Sequence, residues 1–423
     1  MGLPKAKSDL TDSFLDLVPV TEGSSWLALA RREARARVAE MGLPVARDEY
    51  WRFTKPQGFT DVEPSFGTKT SRNTQFDGQK AVTLTFVDGV FAPDQSDDLA
   101  LEGAKVELLS VAGEVDIHWS QDLFGSLEAR SQNPVERPLA AATTCLASDG
   151  VLIHVSGACE VPLHIKYVSN GGQANLHHAI KLDKGASLTV LEEGLPGARS
   201  GVNLEVDLAD EASFNHIRVQ GPEAERQSLT GLFARLGQES TFKSFTMSMN
   251  GALTRNEAVI EFTGDDAVAH VAGACVGDGD FHHDDTVFVT HDGVNCESRQ
   301  VFKKVLRNGA TGVFQGKILV KEGAQKTDGY QISQGLMLDD ESQFLAKPEL
   351  EIYADDVVCS HGSTVGSVDA NALFYLTSRG VPRADAQNML VLAFLAEAMD
   401  EIEDEALAEN LTERLAGWME RHS

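Results

Sequence analysis

The feature that most constrains the fold of this chain is a faint repeat in its middle part. Each copy begins with a polar turn, continues with small residues and ends with an apolar residue that opens a strand-like run. These apolar residues are Leu188, Phe214, Phe242 and Val268, separated by 26, 28 and 26 residues. A nearly constant period of this length is typical of stacked coils, which bury their apolar faces only against one another. The repeat therefore predicts a β-helix or a related β-solenoid.

The chain of 423 residues divides into three predicted zones. Residues 1–80 form an N-terminal helical region. Residues 81–358 form the β-helix core, since their runs alternate, are rich in β-branched residues and are separated by turn pairs, with no long helical pattern between them. Residues 359–423 form a C-terminal helical region. The expected fold is thus mainly β, with helical regions at both ends.

Capping residues and apolar stripes place the helices of the two end regions. Ser25 is the expected N-cap of a helix that starts at Trp26 and stops at Gly42. Asp369 is the expected N-cap of a second helix, and Pro382 opens a third. The C-terminal helices carry apolar stripes, which pack into the molecule's own core in most proteins and form a docking surface for a partner in others.

Charge and cysteine spacing exclude several classes of function. The net charge of −28 disfavours binding to nucleic acid and to an anionic membrane surface. The N-terminus lacks the apolar segment of a signal peptide, and no apolar run is long enough to span a bilayer, so a cytosolic protein is expected. The five cysteines show neither paired nor zinc-like spacing, which argues against a disulfide framework and a structural zinc site.

Cys359 and His361 form the first candidate site. They stand two residues apart in a strand-like run, so their side chains face the same way. A thiolate and an imidazole are ligands for a soft metal, but a stable site needs about four ligands. The pair is therefore an incomplete metal site that a partner or solvent must complete, or else a buried cysteine beside a hydrogen-bonded histidine.

His283, Asp285 and His291 form a second candidate site on one face of another predicted strand. Two imidazoles and a carboxylate could bind iron or manganese, which would make the chain a metal-dependent enzyme on a β-scaffold. The alternative is a polar pair at a strand end with a structural role. We find no phosphate-binding loop, dinucleotide motif or serine nucleophile motif, so ATPase activity is not expected.

The segment that contains Cys359 and His361 also resembles a known family. Residues 347–366 and the helix-like block 368–380 are similar to the end of the SufB/SufD proteins of the SUF iron–sulfur cluster assembly machinery. The similarity runs from about residue 314 to about residue 397. A weaker similarity reaches residues 47–56, whose Tyr and Trp we interpret as an aromatic anchor for a loop. The chain length and the lack of an N-terminal cysteine cluster favour the SufD branch.

This resemblance implies a right-handed parallel β-helix and a non-enzymatic scaffold subunit. Such a subunit would pair with SufB through the edge of the β-helix and receive the ATPase SufC on its C-terminal helices. Cys359 and His361 would lie at the SufB interface and hold iron or a nascent cluster transiently, with no firmly bound cofactor. Flavin is expected only at the level of the whole complex, and a homodimer is expected when SufB is absent.

Overall fold

The computed structural model describes residues 3–18, 21–61, 76, 78–221 and 224–421. The strands of this part are β1 (Val82–Val87), β2 (Val90–Phe91), β3 (Ala100–Leu101), β4 (Ala104–Leu108), β5 (Val151–Val155), β6 (Leu163–Val168), β7 (Gln173–Leu182), β8 (Ser187–Gly194), β9 (Arg199–Leu208), β10 (Ser213–Gln220), β11 (Gln227–Leu236), β12 (Thr241–Met249), β13 (Leu253–Phe262), β14 (Val268–Asp278), β15 (His282–His291), β16 (Glu297–Arg307), β17 (Thr311–Val320), β18 (Asp328–Met337), β19 (Gln343–Ile352) and β20 (Val358–Ser367). The helices are α1 (Lys5–Leu17), α2 (Trp26–Met41), α3 (Gln57–Thr60), α4 (Leu109–Ala112), α5 (Ser126–Arg130), α6 (Pro138–Leu146), α7 (Ala370–Ser378), α8 (Arg383–Met399) and α9 (Glu405–Arg421).

Two sheets of ten strands face each other and form a β-solenoid of about seven turns. Sheet A has the strand order β2-β1-β6-β8-β10-β12-β14-β16-β18-β20, and sheet B has the order β19-β17-β15-β13-β11-β9-β7-β5-β4-β3. From β6 onward the chain alternates between the sheets, and each strand pairs in parallel with the strand one coil away. The main hydrophobic core lies between the sheets. The predicted mainly-β solenoid is confirmed.

The strand register tests the positions that the sequence repeat predicted to be equivalent. Phe214 pairs with Leu188 on one side and with Phe242 on the other, as predicted. The partner of Phe242 in the next coil is Ala269, whereas Val268 pairs with Thr241. The prediction for Val268 was therefore wrong by one residue. The coils differ in length, so a fixed spacing cannot locate every equivalent position.

A stacked turn explains why the repeat exists. In six successive coils the residue two positions before the sheet A strand has a positive φ, and its N–H donates to a carbonyl of the next coil. This hydrogen bond offsets the cost of a left-handed backbone, which is about 1–2 kcal/mol for a residue with a Cβ. A small, fully buried residue follows each turn. The turn residues are Gly185, Glu211, Glu239, Asp266, Asn295 and Lys326, and the small residues are Ala186, Ala212, Ser240, Ala267, Cys296 and Thr327.

The N-terminal helices pack on the early coils. The predicted helix Trp26–Met41 is present, and the Ser25 hydroxyl accepts a hydrogen bond from the N–H of Ala28 at 3.3 Å. Helices α4, α5 and α6 lie inside residues 81–358, where no long helical pattern was recognised. Helix α6 was missed because nearly all of its residues are buried, so it lacks the polar face that gives a helix its sequence periodicity.

The C-terminal helices cover the outer face of sheet A. Residues of α8 and α9 form a second hydrophobic core with the sheet A strands β8, β10, β12, β14, β16 and β18, so their apolar stripes pack inside the molecule. Ion pairs reinforce the contact: Glu401 binds Arg299 at 2.6 Å and His270 at 3.1 Å. The carboxylate of Asp369 caps α7, as predicted. Among the helices of the described residues, none combines the length and the apolar character needed to cross a membrane.

Candidate functional site

The solenoid ends at an open coil formed by β19 and β20, here called the terminal coil. Each of these strands is the last in its sheet, and within the described residues no further strand pairs with them. Most of β20 is exposed, including Val358 at 70% and Val365 at 59%. An edge of this kind presents unpaired N–H and C=O groups and is a template for another strand. The terminal coil is therefore the part of the solenoid best suited to meet a partner.

Cys359 and His361 both lie on β20, in the terminal coil. Cys359 pairs with Gly329, and its Sγ lies 3.1 Å from the position that a Cβ on Gly329 would occupy. Its side chain thus rests on the preceding coil, where it packs at the edge of a small apolar cluster with Ile318 and Ala354. Because β20 is a regular strand, His361 faces the same interior side, but it is exposed at the open end.

The local environment keeps the Cys359 thiol protonated. Burial raises its pKa, the Asp328 carboxylate adds to the rise, and a hydrogen bond with the Gly329 backbone opposes it. The thiolate is the form that binds metals. A metal that binds Cys359 would therefore have to displace a proton.

The described residues of this chain do not form a complete metal site. In the part of the chain that the structure describes, no group of three or more His, Cys, Asp and Glu residues is arranged to hold a metal ion. Cys359 and His361 are brought to one strand face as predicted, and among the described residues no third His, Cys, Asp or Glu joins them in a group that could hold a metal. A metal bound to this pair would need ligands from outside the described residues.

The structure brings His283 and Asp285 close together, with 3.4 Å between Nδ1 and Oδ2, but His291 lies apart from them. The ammonium group of Lys304 donates to His283 Nδ1 at 2.8 Å and to Asp285 Oδ2 at 2.6 Å, so a lysine stands where the metal was expected. His291 lies eight residues along β15, about 26 Å from His283 at the usual rise per residue, and its Nε2 contacts Ser298 Oγ at 2.8 Å. The predicted triad was wrong, because residues on one strand face are spread along the strand.

Burial keeps His283 and His291 neutral. Burial, followed by the nearby Lys304 charge, holds the pKa of His283 well below its usual value, and burial lowers the pKa of His291 to about 4. Both rings also stack on phenylalanine rings. These contacts give the two histidines a structural role in the solenoid interior.

Residues 47–56 form a clasp that sequence reasoning placed only as an aromatic anchor. The Tyr50 hydroxyl donates to Glu349 at 2.7 Å, and Glu49 binds Lys347 at 2.7 Å, so the clasp holds β19 of the terminal coil. The Trp51 ring lies 4.2 Å from the guanidinium of buried Arg255. Nothing in the local sequence identified these partners, which lie about 200 to 300 residues further along the chain.

Large apolar side chains remain exposed on the C-terminal helices. Phe374 and Tyr375 of α7 are 73% and 55% exposed, and Met389 of α8 is 52% exposed. The Arg379 guanidinium covers one face of the Tyr375 ring at 3.4 Å. Exposed aromatic residues beside an arginine are common at protein interfaces. These residues define a second candidate contact surface, separate from the terminal coil.

Comparison with known proteins identifies the family. The family described as "SUF system FeS cluster assembly, SufBD core domain" matches residues 166–394, more than half of the chain. The chain belongs to the SufB/SufD family. The matched range includes β20 with Cys359 and His361, whereas the clasp lies outside it.

Several relatives in the SufB/SufD family match most of this chain. The iron–sulfur cluster assembly protein SufD of Escherichia coli is 29% identical over 88% of this chain and 89% of its own length. An iron–sulfur cluster assembly SufBD family protein of Synechocystis is 25% identical over 91% of this chain and 89% of its own. SufD of Bacillus subtilis is 27% identical over 65% of both chains.

Proposed function

We propose that this chain is a non-enzymatic scaffold subunit that helps to build an iron–sulfur cluster at its terminal coil. Its membership in the SufB/SufD family and the names of its relatives support a role in iron–sulfur cluster assembly. The observation that carries the finer proposal is an exposed histidine beside a cysteine on an open strand edge. A scaffold needs such an incomplete site, because it must release the cluster to a recipient.

The partner at the terminal coil is proposed to be SufB. Half of the backbone N–H and C=O groups of a strand point to one side, so a ten-residue strand such as β20 offers about ten of them to a partner. Pairing at this edge would continue the solenoid across the interface by strand addition. It would also cover Val358 and Val365, whose exposure is costly in an isolated chain.

His361 and Cys359 are proposed to bind iron or the nascent cluster between the two subunits. His361 is the principal ligand, since its ring is accessible at the open end. Cys359 joins it after losing its proton. The partner supplies the remaining ligands, and the cluster is cargo of the complex. Flavin, where it takes part, is proposed to bind elsewhere in the complex.

The ATPase SufC is proposed to dock on the C-terminal helices. Phe374, Tyr375 and Met389 supply exposed apolar area there. Glu397 of α8 forms an ion pair with Lys303 of β16 in sheet A. A movement of α8 would therefore be transmitted to the strands. ATP hydrolysis by SufC would in this way open or close the interface at the terminal coil.

The test is to replace His361 with Ala in the complex rebuilt from this chain, SufB and SufC. Cluster formation is followed by its visible absorbance, and complex formation by light scattering. We expect assembly to collapse while the complex still forms. Ser363→Ala is the matched control, since Ser363 lies on the same strand face two residues further along. Full assembly by the His361→Ala complex would reduce the role of this chain to architecture and ATPase docking.

A further inference from the structure

A column of polar side chains leads from the solenoid interior to His361. Gln300 of β16, Gln331 of β18 and His361 of β20 are direct partners in the strand register. Both glutamines are completely buried. The Nε2 of Gln331 donates to the Oε1 of Gln300 at 2.8 Å. The Gln331 amide nitrogen is therefore turned toward the interior.

The other end of the Gln331 amide is unsatisfied. Its Oε1 is buried and has no hydrogen-bond partner among the described residues. A buried acceptor without a partner costs about 1–3 kcal/mol, so such atoms are rare in folded proteins.

The absence of a side chain at Gly316, on the facing sheet, leaves room for this amide. A Cβ at that position would lie only 2.3 Å from Gln331 Nε2. The fold thus holds this amide in place although one of its two polar atoms has no partner among the described residues.

We infer that Gln331 is the positioning residue of His361: its Oε1 accepts the N–H of one ring nitrogen and leaves the other nitrogen free to bind iron. Partners in adjacent strands are about 4.8 Å apart, so the imidazole reaches the amide when it turns inward from the open end. Metal-binding histidines almost always donate their second N–H to an acceptor of this kind. This inference rests on the proposed role of His361 as a ligand.

The hydrogen bond would select one tautomer of His361. A neutral imidazole carries one proton, and the nitrogen that carries it cannot bind a metal. Without an acceptor, both tautomers are populated, and the ring is free to rotate. Loss of an outer contact of this type costs about 10–100-fold in metal affinity or activity. We expect a loss of about 10-fold here, since the partner's ligands also hold the iron.

The experiment compares the wild-type chain with Gln331→Met, which keeps the side-chain length and removes both polar atoms. Each chain is labelled with 15N-histidine, assembled with unlabelled SufB and SufC, and studied by solid-state NMR at about pH 8.5, where histidine is ordinarily neutral. The His361 signals are those that disappear in His361→Ala. Gln331→Glu tests rescue, because it keeps an acceptor. Ser333→Ala is the matched control, since Ser333 lies on the same strand face but contacts Ser363 Oγ at 3.2 Å.

The inference would be supported if His361 shows one tautomer in the wild type and in Gln331→Glu but both tautomers in Gln331→Met. Cluster assembly should then also be about 10-fold slower in Gln331→Met. The same single tautomer in Gln331→Met and in the wild type would overturn it, as would a mixture in the wild type. Full assembly by His361→Ala would instead overturn the proposed function. The tautomer comparison separates the two failures, because it does not depend on cluster formation.

Discussion

Acidification should destabilise the solenoid through its buried histidines. Burial lowers the pKa of both His178 and His291 to about 4. His178 accepts the Val151 N–H at Nδ1, at 2.9 Å, so its protonation would break an internal hydrogen bond. In the unfolded chain a histidine has a pKa of about 6.5 and takes up a proton first. The stability contributed by each neutral ring is therefore complete above about pH 6.5 and is lost as the pH falls toward 4.

The loss can be estimated for each ring. Between about pH 7 and about pH 5, an unfolded pKa of about 6.5 and a folded pKa of about 4 give a change of about 2 kcal/mol per histidine. The two rings together should remove about 4 kcal/mol, a large share of the 5–15 kcal/mol typical of folded domains.

Urea unfolding at the two pH values, followed by circular dichroism, measures this change. The variant His291→Gln should show about 2 kcal/mol less pH dependence than the wild type, since it cannot take up the proton in either state. Thr290→Gln changes the neighbouring residue without removing a titrating group and should keep the full dependence. If His291→Gln lost stability on acidification as steeply as the wild type, His291 would not be a buried neutral ring, and our account of it would fail.

Replacing Lys304 with Met should lower the free energy of unfolding by about 3–5 kcal/mol, because it leaves the charge of the Asp285 carboxylate unpaired in the interior. In urea titrations, the further change Asp285→Asn should recover part of that loss. If it recovered none, the pairing of Lys304 with Asp285 would be contradicted. Trp51→Ala should lower the free energy of unfolding by about 3–5 kcal/mol, because packing and the contact with Arg255 are lost. Trp51→Phe should lower it less, and proteolysis of the clasp should accelerate only in Trp51→Ala. The isolated chain should form a dimer of about twice 45.6 kDa in light scattering. Val365→Lys should make it monomeric, because a lysine blocks strand pairing at the terminal coil, and a surviving dimer would point to another surface.

The fold was predictable where the sequence carries a local signal. Leu188, Phe214 and Phe242 were placed correctly because each follows a polar turn and a small residue, and the structure gives both features a physical cause. Val268 was misplaced by one residue because the coils differ in length, so the register does not follow a fixed spacing. Helix α6 left no signal, since a helix buried on all sides has no polar face.

The candidate site was predictable to the same extent. The spacing of Cys359 and His361 fixes their common face, because strand side chains alternate. The same rule misled for His291, since a common face says nothing about distance along the strand. Lys304 reaches His283 from the next strand of the facing sheet, and Glu349 reaches Tyr50 from almost 300 residues away. Contacts of this kind arise only when the whole chain folds, and they leave no local pattern.

The contrast between the interior and the terminal coil supports the proposal of a cluster site at the end of the solenoid. Inside, polar groups such as Asp285 and Lys304 neutralise each other, so a metal could bind only by breaking a satisfied pair. In the terminal coil no following strand of the described residues pairs with β20, and His361 stays exposed. One more coil in this chain would cover the His361 ring. The proposed subunit boundary at β20 would therefore keep this residue reachable, and a second subunit would complete the proposed site and later uncover it.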